Sequence, residues 1–212
     1  MANLVFNYCA MNGGKTLNIL QTAHSYEEKN IKFIIIKSKK DTKGKDSIVS
    51  RTSMERKADI LLGENDSLLT EKKYRTYYNV RLILVDEVEM LTEKHIEELW
   101  TIAHLINIPV YAYGLKSNFK GDVFSPAVAK LFALADESKE VGSVCLCKCG
   151  KRATLNARKI NGKYTDEGEI VLIDGSLKDV EYESLCSDCY LRYLKIKSEN
   201  AKKLAKLVEK VN

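Results

Sequence analysis

The chain has 212 residues, of which 45% are hydrophobic and 30% charged, and its formal net charge is +5. This length accommodates one domain of ordinary size and a small second unit, with the composition of a soluble globular protein. No apolar run reaches the roughly 18 residues that a membrane span needs, so we expect no transmembrane helix. No basic region or apolar core of a secretory signal precedes the first predicted strand, so we expect a cytoplasmic location.

Much of the positive charge lies in residues 37–45 and among the lysines at 195–210. Aromatic side chains do not alternate with these lysines, as they would in a groove that binds a nucleic-acid strand. We therefore expect solvated surfaces here and predict neither a nucleic-acid nor a membrane partner.

The chain begins with a strand, a helix and a second strand. Residues 3–8 form an apolar run, residues 16–28 have helical periodicity, and residues 32–37 are again apolar between charges. Short continuous apolar runs are typical of parallel strands covered on both faces. The first 35 or so residues therefore predict a βαβ unit.

The turn between the first strand and the helix reads Cys9-Ala10-Met11-Asn12-Gly13-Gly14-Lys15-Thr16. It resembles the phosphate-loop pattern G-x-x-x-x-G-K-[ST], except that Cys9 stands where the first glycine is expected. In such a loop, backbone N–H groups and the helix N-terminus bind phosphate, the lysine reaches the outer phosphates and the threonine hydroxyl binds Mg²⁺. Because the pattern is incomplete, an ordinary strand-to-helix turn remains the alternative.

Residues 38–53 are rich in lysine and serine and poor in apolar residues, so we predict a mobile loop. This loop could close over bound phosphates or simply be solvated. Residues 54–79 show helical patterns that break at 63–66, with Asp66-Ser67 as a candidate helix cap.

Residues 80–87 form an apolar strand that ends in Asp86 and Glu87. Ligands of open α/β sheets bind beyond the carboxyl ends of the strands, so these acids could face a nucleotide-bound metal ion. A helix over 92–105, a strand over 110–113 and a helix over 127–135 complete this part. We interpret His24, His95 and Trp100 as structural residues.

The cysteines form two groups, Cys145, Cys147 and Cys149 in the first and Cys186 and Cys189 in the second. Two cysteine pairs separated by a segment with hairpin turns are typical of a structural zinc site. The first group offers three thiols for two positions. We favour Cys147 and Cys149 because Gly150 follows at once. A final helix over 188–211 is expected.

These motifs, in this order, resemble the bacterial and cellular-type (type II) thymidine kinase family over residues 3–190. The most specific matches are residues 10–16, Val85-Asp86-Glu87, Tyr113-Gly114-Leu115 with Phe119, Gly121 and Phe124, and the four cysteines 147, 149, 186 and 189. In that family serine can occupy the position of Cys9.

The resemblance implies an α/β fold, a phosphate-loop parallel sheet with helices on both faces, and a small zinc-binding unit called the lasso. It places an ATP-binding domain at 1–143, the lasso at 144–191 and a helical tail at 192–212. It also implies a homotetramer.

The implied activity is transfer of the ATP γ-phosphate to the 5′-hydroxyl of thymidine, with deoxyuridine as a second candidate substrate. Glu87 would accept the hydroxyl proton, Thr16 and Asp86 would lie near Mg²⁺, and zinc would hold the lasso. The implied ATP-binding residues are Cys9, Ala10, Met11, Asn12, Gly13, Gly14, Lys15, Thr16, Asp86 and Glu89. The implied nucleoside-binding residues are Leu115, Phe119, Phe124, Val171, Leu172, Ile173, Asp174 and Tyr182.

The sequence departs from the family pattern at four of these or neighbouring positions. Glu89 and Met90 replace a usual glutamine and phenylalanine, Asp174 stands where glycine is common, and Lys43 replaces a common arginine. Two other functions remain open, a phosphate-loop ATPase that uses water as the nucleophile and a zinc module that binds nucleic acid. The first lacks an arginine-finger motif and a stacking-rich basic groove, and the second leaves the first 140 or so residues without a function.

Overall fold

The computed structural model describes residues 2–141, 145–170, 180–194 and 206. The strands are β1 (Leu4–Cys9), β2 (Ile34–Ser38), β3 (Ser47–Val49), β4 (Glu55–Lys57), β5 (Ile60–Leu62), β6 (Ile83–Asp86), β7 (Val110–Leu115), β8 (Glu137–Glu140), β9 (Leu155–Ile160), β10 (Lys163–Thr165) and β11 (Val180–Leu185). The α-helices are α1 (Lys15–Glu28), α2 (Glu71–Thr76), α3 (Glu93–Thr101), α4 (Pro126–Leu134) and α5 (Ser187–Leu194). A 3₁₀ turn spans Val88–Met90, and π-helical turns over Ile102–Ile106 continue α3.

Six strands form one parallel sheet in the order β5-β2-β6-β7-β1-β8. Alternate side chains of β2 enter different hydrophobic clusters, with Ile34 and Ile36 in one and Ile35 in the other. Helix α1 packs in the Ile35 cluster, whereas α3 and α4 pack in the cluster of Ile34 and Ile36. The predicted parallel α/β sheet with helices on both faces is confirmed.

Parallel strands place their carboxyl ends at one edge, and this fixes where the site residues lie. Cys9 at the end of β1 is in register with Leu115 at the end of β7. Asp86, the last residue of β6, is in register with Lys37 of β2. The loops that follow these strands therefore meet along the same edge of the sheet.

A second, antiparallel sheet has the order β10-β9-β11. The β9–β10 turn uses Asn161 and Gly162, which both have positive φ, 50° and 72°. This agrees with the hairpin turns expected between the two cysteine groups. The predicted boundary at 143/144 lies outside the described residues, as does most of the 192–212 tail, and both stay predictions. Of the predicted final helix, the described part is α5.

Two predictions for residues 38–62 were wrong. The segment predicted as a mobile loop contains β3, which pairs with β4 and whose Ile48 is buried in the hydrophobic core. The segment predicted as helical from residue 54 contains β4 and β5 instead, because hairpin pairing and the sheet edge at β2 outweigh the local pattern.

The predicted cap at Asp66-Ser67 was also wrong. Asp66 instead closes a turn by accepting the backbone N–H of Gly63 at 2.8 Å. The N-cap of α2 is Thr70, whose hydroxyl accepts the N–H of Lys73. His95 is confirmed as structural, since it completes the capping box of α3 and its Nε2 lies 3.0 Å from the carbonyl oxygen of Asp66.

A buried lysine holds the segment that leads into β3. The side chain of Lys37 is fully buried, with its Nζ 3.2 Å from Asp41 Oδ2. The same ammonium donates to the carbonyl oxygens of Lys43, Lys45 and Ser47. A buried charge requires such complete pairing, so Lys37 determines the path of residues 41–47.

Within the described ranges, no helix is both long and apolar enough to cross a lipid bilayer.

Replacing Lys37 with methionine keeps the aliphatic stem and removes the ammonium. We expect Lys37→Met to lower the free energy of unfolding by about 3 kcal/mol, because it leaves Asp41 and three carbonyl groups without their donor. Urea unfolding followed by circular dichroism measures the change. Lys39→Met is the matched control. Its ammonium pairs with Asp66 at the surface, so the expected loss is below about 1 kcal/mol. Equal losses in the two variants would contradict this account.

Candidate active site

The phosphate loop joins β1 to α1 and depends on two glycines. A Cβ atom on Gly13 would lie 2.5 Å from the Sγ of Cys9, so no larger residue fits there without displacement. Gly14 is the N-cap of α1 with φ of 86°, a conformation that favours glycine. Cys9 is the last residue of β1 and lies outside the positive-φ positions, so its own backbone does not require glycine.

Lys15 begins α1 and lies buried among acidic side chains. Burial disfavours its charge, but the carboxylates of Glu87, Glu89 and Asp86 outweigh burial and raise the pKa of Lys15 above its ordinary value. The ammonium is therefore permanently charged at neutral pH. It is positioned where a phosphate-binding loop needs its cation.

Thr16 and Asp86 bring two oxygen-bearing side chains together. The Thr16 hydroxyl donates to Asp86 Oδ2 at 3.4 Å, and the backbone N–H of Glu87 donates to Oδ1 at 3.0 Å. Burial and the neighbouring charge of Glu87, opposed by Lys15, raise the pKa of Asp86 to about 7. Hydroxyl and carboxylate oxygens suit Mg²⁺, so this pair could hold the ion that accompanies a nucleotide.

Glu87 follows β6 in a strained conformation, with φ of 45° and ψ of 49°. Such strain in a residue other than glycine is most frequent at functional sites. Burial favours the neutral acid, but Lys15 outweighs burial and keeps the pKa of Glu87 below its usual value. Glu87 is therefore a carboxylate at neutral pH.

Glu89 has the opposite protonation preference. Burial and the negative charge of Glu87 raise the pKa of Glu89 well above its usual value. A side-chain hydrogen bond between the two acids adds to this effect, since it raises the pKa of Glu89 and lowers that of Glu87. Gly114 leaves room for the Glu89 side chain, since a Cβ there would lie 2.4 Å from Glu89 Oε2.

One cavity of about 610 Å³ contains most of the predicted site residues. Those that line it are Met11, Asn12, Gly13, Gly14, Lys15, Thr16, Glu87, Glu89, Leu115, Phe119, Phe124 and Tyr182. Cys9, Ala10 and Asp86 are buried next to this lining without forming part of it. Lys43 and Met90, two of the departures from the family pattern, also line it. Val171, Leu172, Ile173 and Asp174 lie outside the described residues.

Arg158 organises the aromatic part of the cavity and was missed from the sequence. Only 1% of its surface is exposed, and its guanidinium carbon lies 3.7 Å from the ring centroid of Phe119. Its Nε and Nη2 donate to the Tyr182 hydroxyl at 3.0 and 2.6 Å, and Nη2 also donates to the Ile170 carbonyl at 3.0 Å. No hydrophobic periodicity in residues 155–160 marks this position.

Four cysteines form a compact cluster. The sulfur atoms of Cys147, Cys149, Cys186 and Cys189 all lie within 4.8 Å of one another. Four thiolates bound to one tetrahedral ion at about 2.3 Å would be about 3.8 Å apart, so this group fits a metal ion. This cluster contains Cys147 and Cys149, the two thiols of the first group that the sequence favours. Cys145 lies apart, with its Sγ 3.4 Å from the carbonyl oxygen of Met11.

The surroundings of Cys147, the first cysteine of the cluster, favour loss of its thiol proton. Burial alone would raise the pKa of Cys147, but the backbone N–H groups of Cys149 and Cys186 outweigh burial and lower it to about 6. Metal ions bind the thiolate form of cysteine. The local backbone therefore favours the ligand form at neutral pH.

Comparison with known proteins agrees with this geometry. The sequence model of the family described as thymidine kinase matches residues 2–190. The chain belongs to the thymidine kinase family. The thymidine kinase of Francisella tularensis subsp. holarctica (strain LVS) is 35% identical over 190 residues, covering 88% of this chain and 95% of that protein.

Two further thymidine kinases are similarly related. That of Agrobacterium fabrum (strain C58) is 36% identical over 185 residues, covering 86% of this chain and 94% of its own. That of Enterobacteria phage T4 is 34% identical over 190 residues, covering 88% and 94%. Membership of the thymidine kinase family thus extends across both the phosphate loop and the cysteine cluster.

The cysteine cluster predicts metal content. We expect the purified protein to contain about one tetrahedrally bound metal ion per chain, and Cys186→Ser to lose most of it, because one of four thiolate ligands is removed. Metal analysis by mass spectrometry measures both. Cys145→Ser is the control and should keep the metal, since its sulfur is not in the cluster. Less than about half a metal ion per wild-type chain would contradict a metal site at these four cysteines.

Proposed function

We propose that this protein transfers the γ-phosphate of ATP to the 5′-hydroxyl of thymidine and produces thymidine monophosphate. The observation that carries the proposal is that one cavity is lined both by the phosphate loop and by the apolar and aromatic side chains of Leu115, Phe119, Phe124 and Tyr182. Glu87 lines the same cavity, so a base, a phosphate donor and a flat nucleoside ring can share it. Family membership supports this substrate pair.

The phosphate loop would hold ATP. The Lys15 ammonium would contact the outer phosphates, and the backbone N–H groups at the start of α1 would contribute further donors. Thr16 and Asp86 would hold Mg²⁺, which supplies positive charge that neutralises the phosphate oxygens. The proposed ATP contacts of Glu89 and of residues 9–14 stay predictions.

Glu87 would act as the general base. Its carboxylate would accept the proton of the 5′-hydroxyl while that oxygen forms a bond to the γ-phosphorus and ADP leaves. Because Lys15 keeps Glu87 ionised, the base is ready at neutral pH. Phosphoryl transfer depends mainly on positioning and charge stabilisation, which a buried cluster of this kind can supply.

The aromatic wall would bind the base of the nucleoside. Leu115, Phe119, Phe124 and Tyr182 offer apolar surface for a thymine ring, with deoxyuridine as a second candidate. Arg158 holds Phe119 and Tyr182 in fixed positions, so little ordering would be needed on binding. It also holds the carbonyl of Ile170. The backbone of residues 171–173 would then read the edge of the base.

The metal at the cysteine cluster is proposed to be zinc. Four thiolates form a closed donor set without an open position, which is typical of structural zinc. Its contribution would be to hold β9–β11 and α5 together. The division into domains at 1–143, 144–191 and 192–212, a homotetramer and a cytoplasmic location are further proposals that rest on the sequence.

The activity is tested by incubating the protein with γ-labelled ATP, Mg²⁺ and single nucleosides. We expect labelled monophosphate with thymidine, and a smaller amount with deoxyuridine. Chromatography separates the product from free phosphate. If only free phosphate were formed, at a rate independent of thymidine, the protein would be a nucleotide hydrolase and the proposal would fail.

The role of Glu87 predicts the effect of removing its charge. We expect Glu87→Gln to lower kcat by about 10²- to 10⁴-fold, because the amide cannot accept the hydroxyl proton. ATP binding, measured by calorimetry, should change little. Glu71→Gln is the control on an exposed carboxylate, 92% accessible, and should keep full turnover. Undiminished turnover of Glu87→Gln would place the base elsewhere.

A further inference from the structure

The metal-binding unit, by which we mean the β10-β9-β11 sheet, α5 and the cysteine cluster, contacts the phosphate loop at Met11. Met11 lies between β1 and α1, where no sheet or helix can pair its backbone groups. Its N–H donates to Asn156 Oδ1 at 2.8 Å, and its carbonyl oxygen accepts the Ser184 hydroxyl at 2.6 Å. The Cys145 thiol lies 3.4 Å from the same carbonyl. Both backbone groups of Met11 are therefore held by side chains distant in sequence.

The two strongest partners come from adjacent strands of one sheet. Asn156 on β9 and Ser184 on β11 are directly paired in register. Both are buried, with 3% and 5% of their surface exposed. Asn156 also donates from Nδ2 to the carbonyl of Ser117 at 3.1 Å, so its amide joins the phosphate loop to the segment that follows β7.

This pairing determines which donors of the loop remain for a phosphate. The N–H of Met11 is directed at Asn156 and cannot serve a second acceptor at full strength. The loop is pinned at this point, four residues before Lys15. Strand β11 ends one residue before Cys186, so the pinned point is connected to the cysteine cluster by a short, paired segment.

We propose that Asn156 and Ser184 are positioning residues, which hold the phosphate loop in its binding conformation by clamping the backbone of Met11. The metal-binding unit is expected to bind the nucleoside. Through Asn156 and Ser184 it would also affect the affinity of the phosphate loop for ATP. The kinetic part of this inference rests on the proposed function, whereas the structural part does not.

Ser184→Ala is the decisive variant because Ser184 does not line the cavity. It removes the donor to the Met11 carbonyl and leaves only the weaker thiol contact. We expect the KM for ATP to rise about 5-fold, the effect of one lost hydrogen bond, with kcat and the KM for thymidine within about 2-fold. Ser184→Thr retains a hydroxyl and should restore the wild-type KM for ATP.

Tyr164→Phe is the matched control. It removes a hydroxyl bonded to Glu183 at 2.7 Å within the same sheet, without a contact to the phosphate loop. We expect its KM for ATP to stay at the wild-type value. If it raised that KM as much as Ser184→Ala did, general loosening of the sheet would explain both results and the clamp would be refuted.

Amide hydrogen exchange tests the clamp independently of any activity. In Ser184→Ala we expect faster exchange in residues 10–16 and unchanged exchange in β9, measured by mass spectrometry. This readout remains informative if the wild-type protein does not phosphorylate thymidine, so failure of the proposed function and failure of the clamp are distinguishable. Exchange in residues 10–16 that is identical in wild type and Ser184→Ala would overturn the inference.

Discussion

The site depends on a buried imbalance of charge around Lys15. One ammonium faces the carboxyl groups of Asp86, Glu87 and Glu89, all at or just beyond the end of β6. Burial destabilises all three carboxylates, and the nearby positive charge, mainly that of Lys15, is too small to offset this for each of them. The pKa values of Asp86 and Glu89 therefore rise while that of Glu87 falls. The parallel sheet causes this crowding, because β7 alone separates β6 from β1 and all three strands end at one edge. The same imbalance leaves Glu87 as an ionised carboxylate at this edge and favours the binding of further positive charge.

Side chains of the second sheet and of α5 hold the loops at this edge of the parallel sheet. Arg158 packs on Phe119 and bonds Tyr182, and the Tyr190 hydroxyl donates to the Phe119 carbonyl at 2.8 Å. Tyr190 directly follows Cys189, so the cysteine cluster is one residue from the support of the aromatic wall. A metal ion bound by the four cysteines would stabilise so small a sheet, because few apolar residues of its described part are buried in a common core. Ordering of this sheet would restrict the phosphate loop through Met11 and the aromatic side of the cavity through Phe119.

The parts that could be predicted from the sequence have short-range causes. Strands β1, β2 and β6 are continuous apolar runs because both of their faces are covered, and the cysteine cluster follows from ligand spacing. The parts that were missed depend on distant partners. Lys37 is charged yet fully buried because backbone carbonyls six to ten residues later surround it, and Arg158 is buried by a ring and a hydroxyl from other segments. Strand β8 is polar throughout and, among the described strands, lies at the sheet edge beside β1, so no periodic pattern marked it.

Cys9 departs from the phosphate-loop motif, yet the loop keeps the backbone geometry that the motif describes. A phosphate loop needs glycine where φ is positive or where backbone must approach closely, and these conditions hold at Gly14 and Gly13. At Cys9 the backbone is still that of β1, so neither condition applies, and the thiol fills the space that Gly13 leaves open. Burial raises the pKa of Cys9 against the effect of Lys15, which keeps the thiol neutral beneath the loop. The pairing of a small side chain at position 9 with glycine at position 13 is therefore a packing requirement. A larger side chain at position 9 would displace Gly13, and with it the backbone donors that precede Lys15.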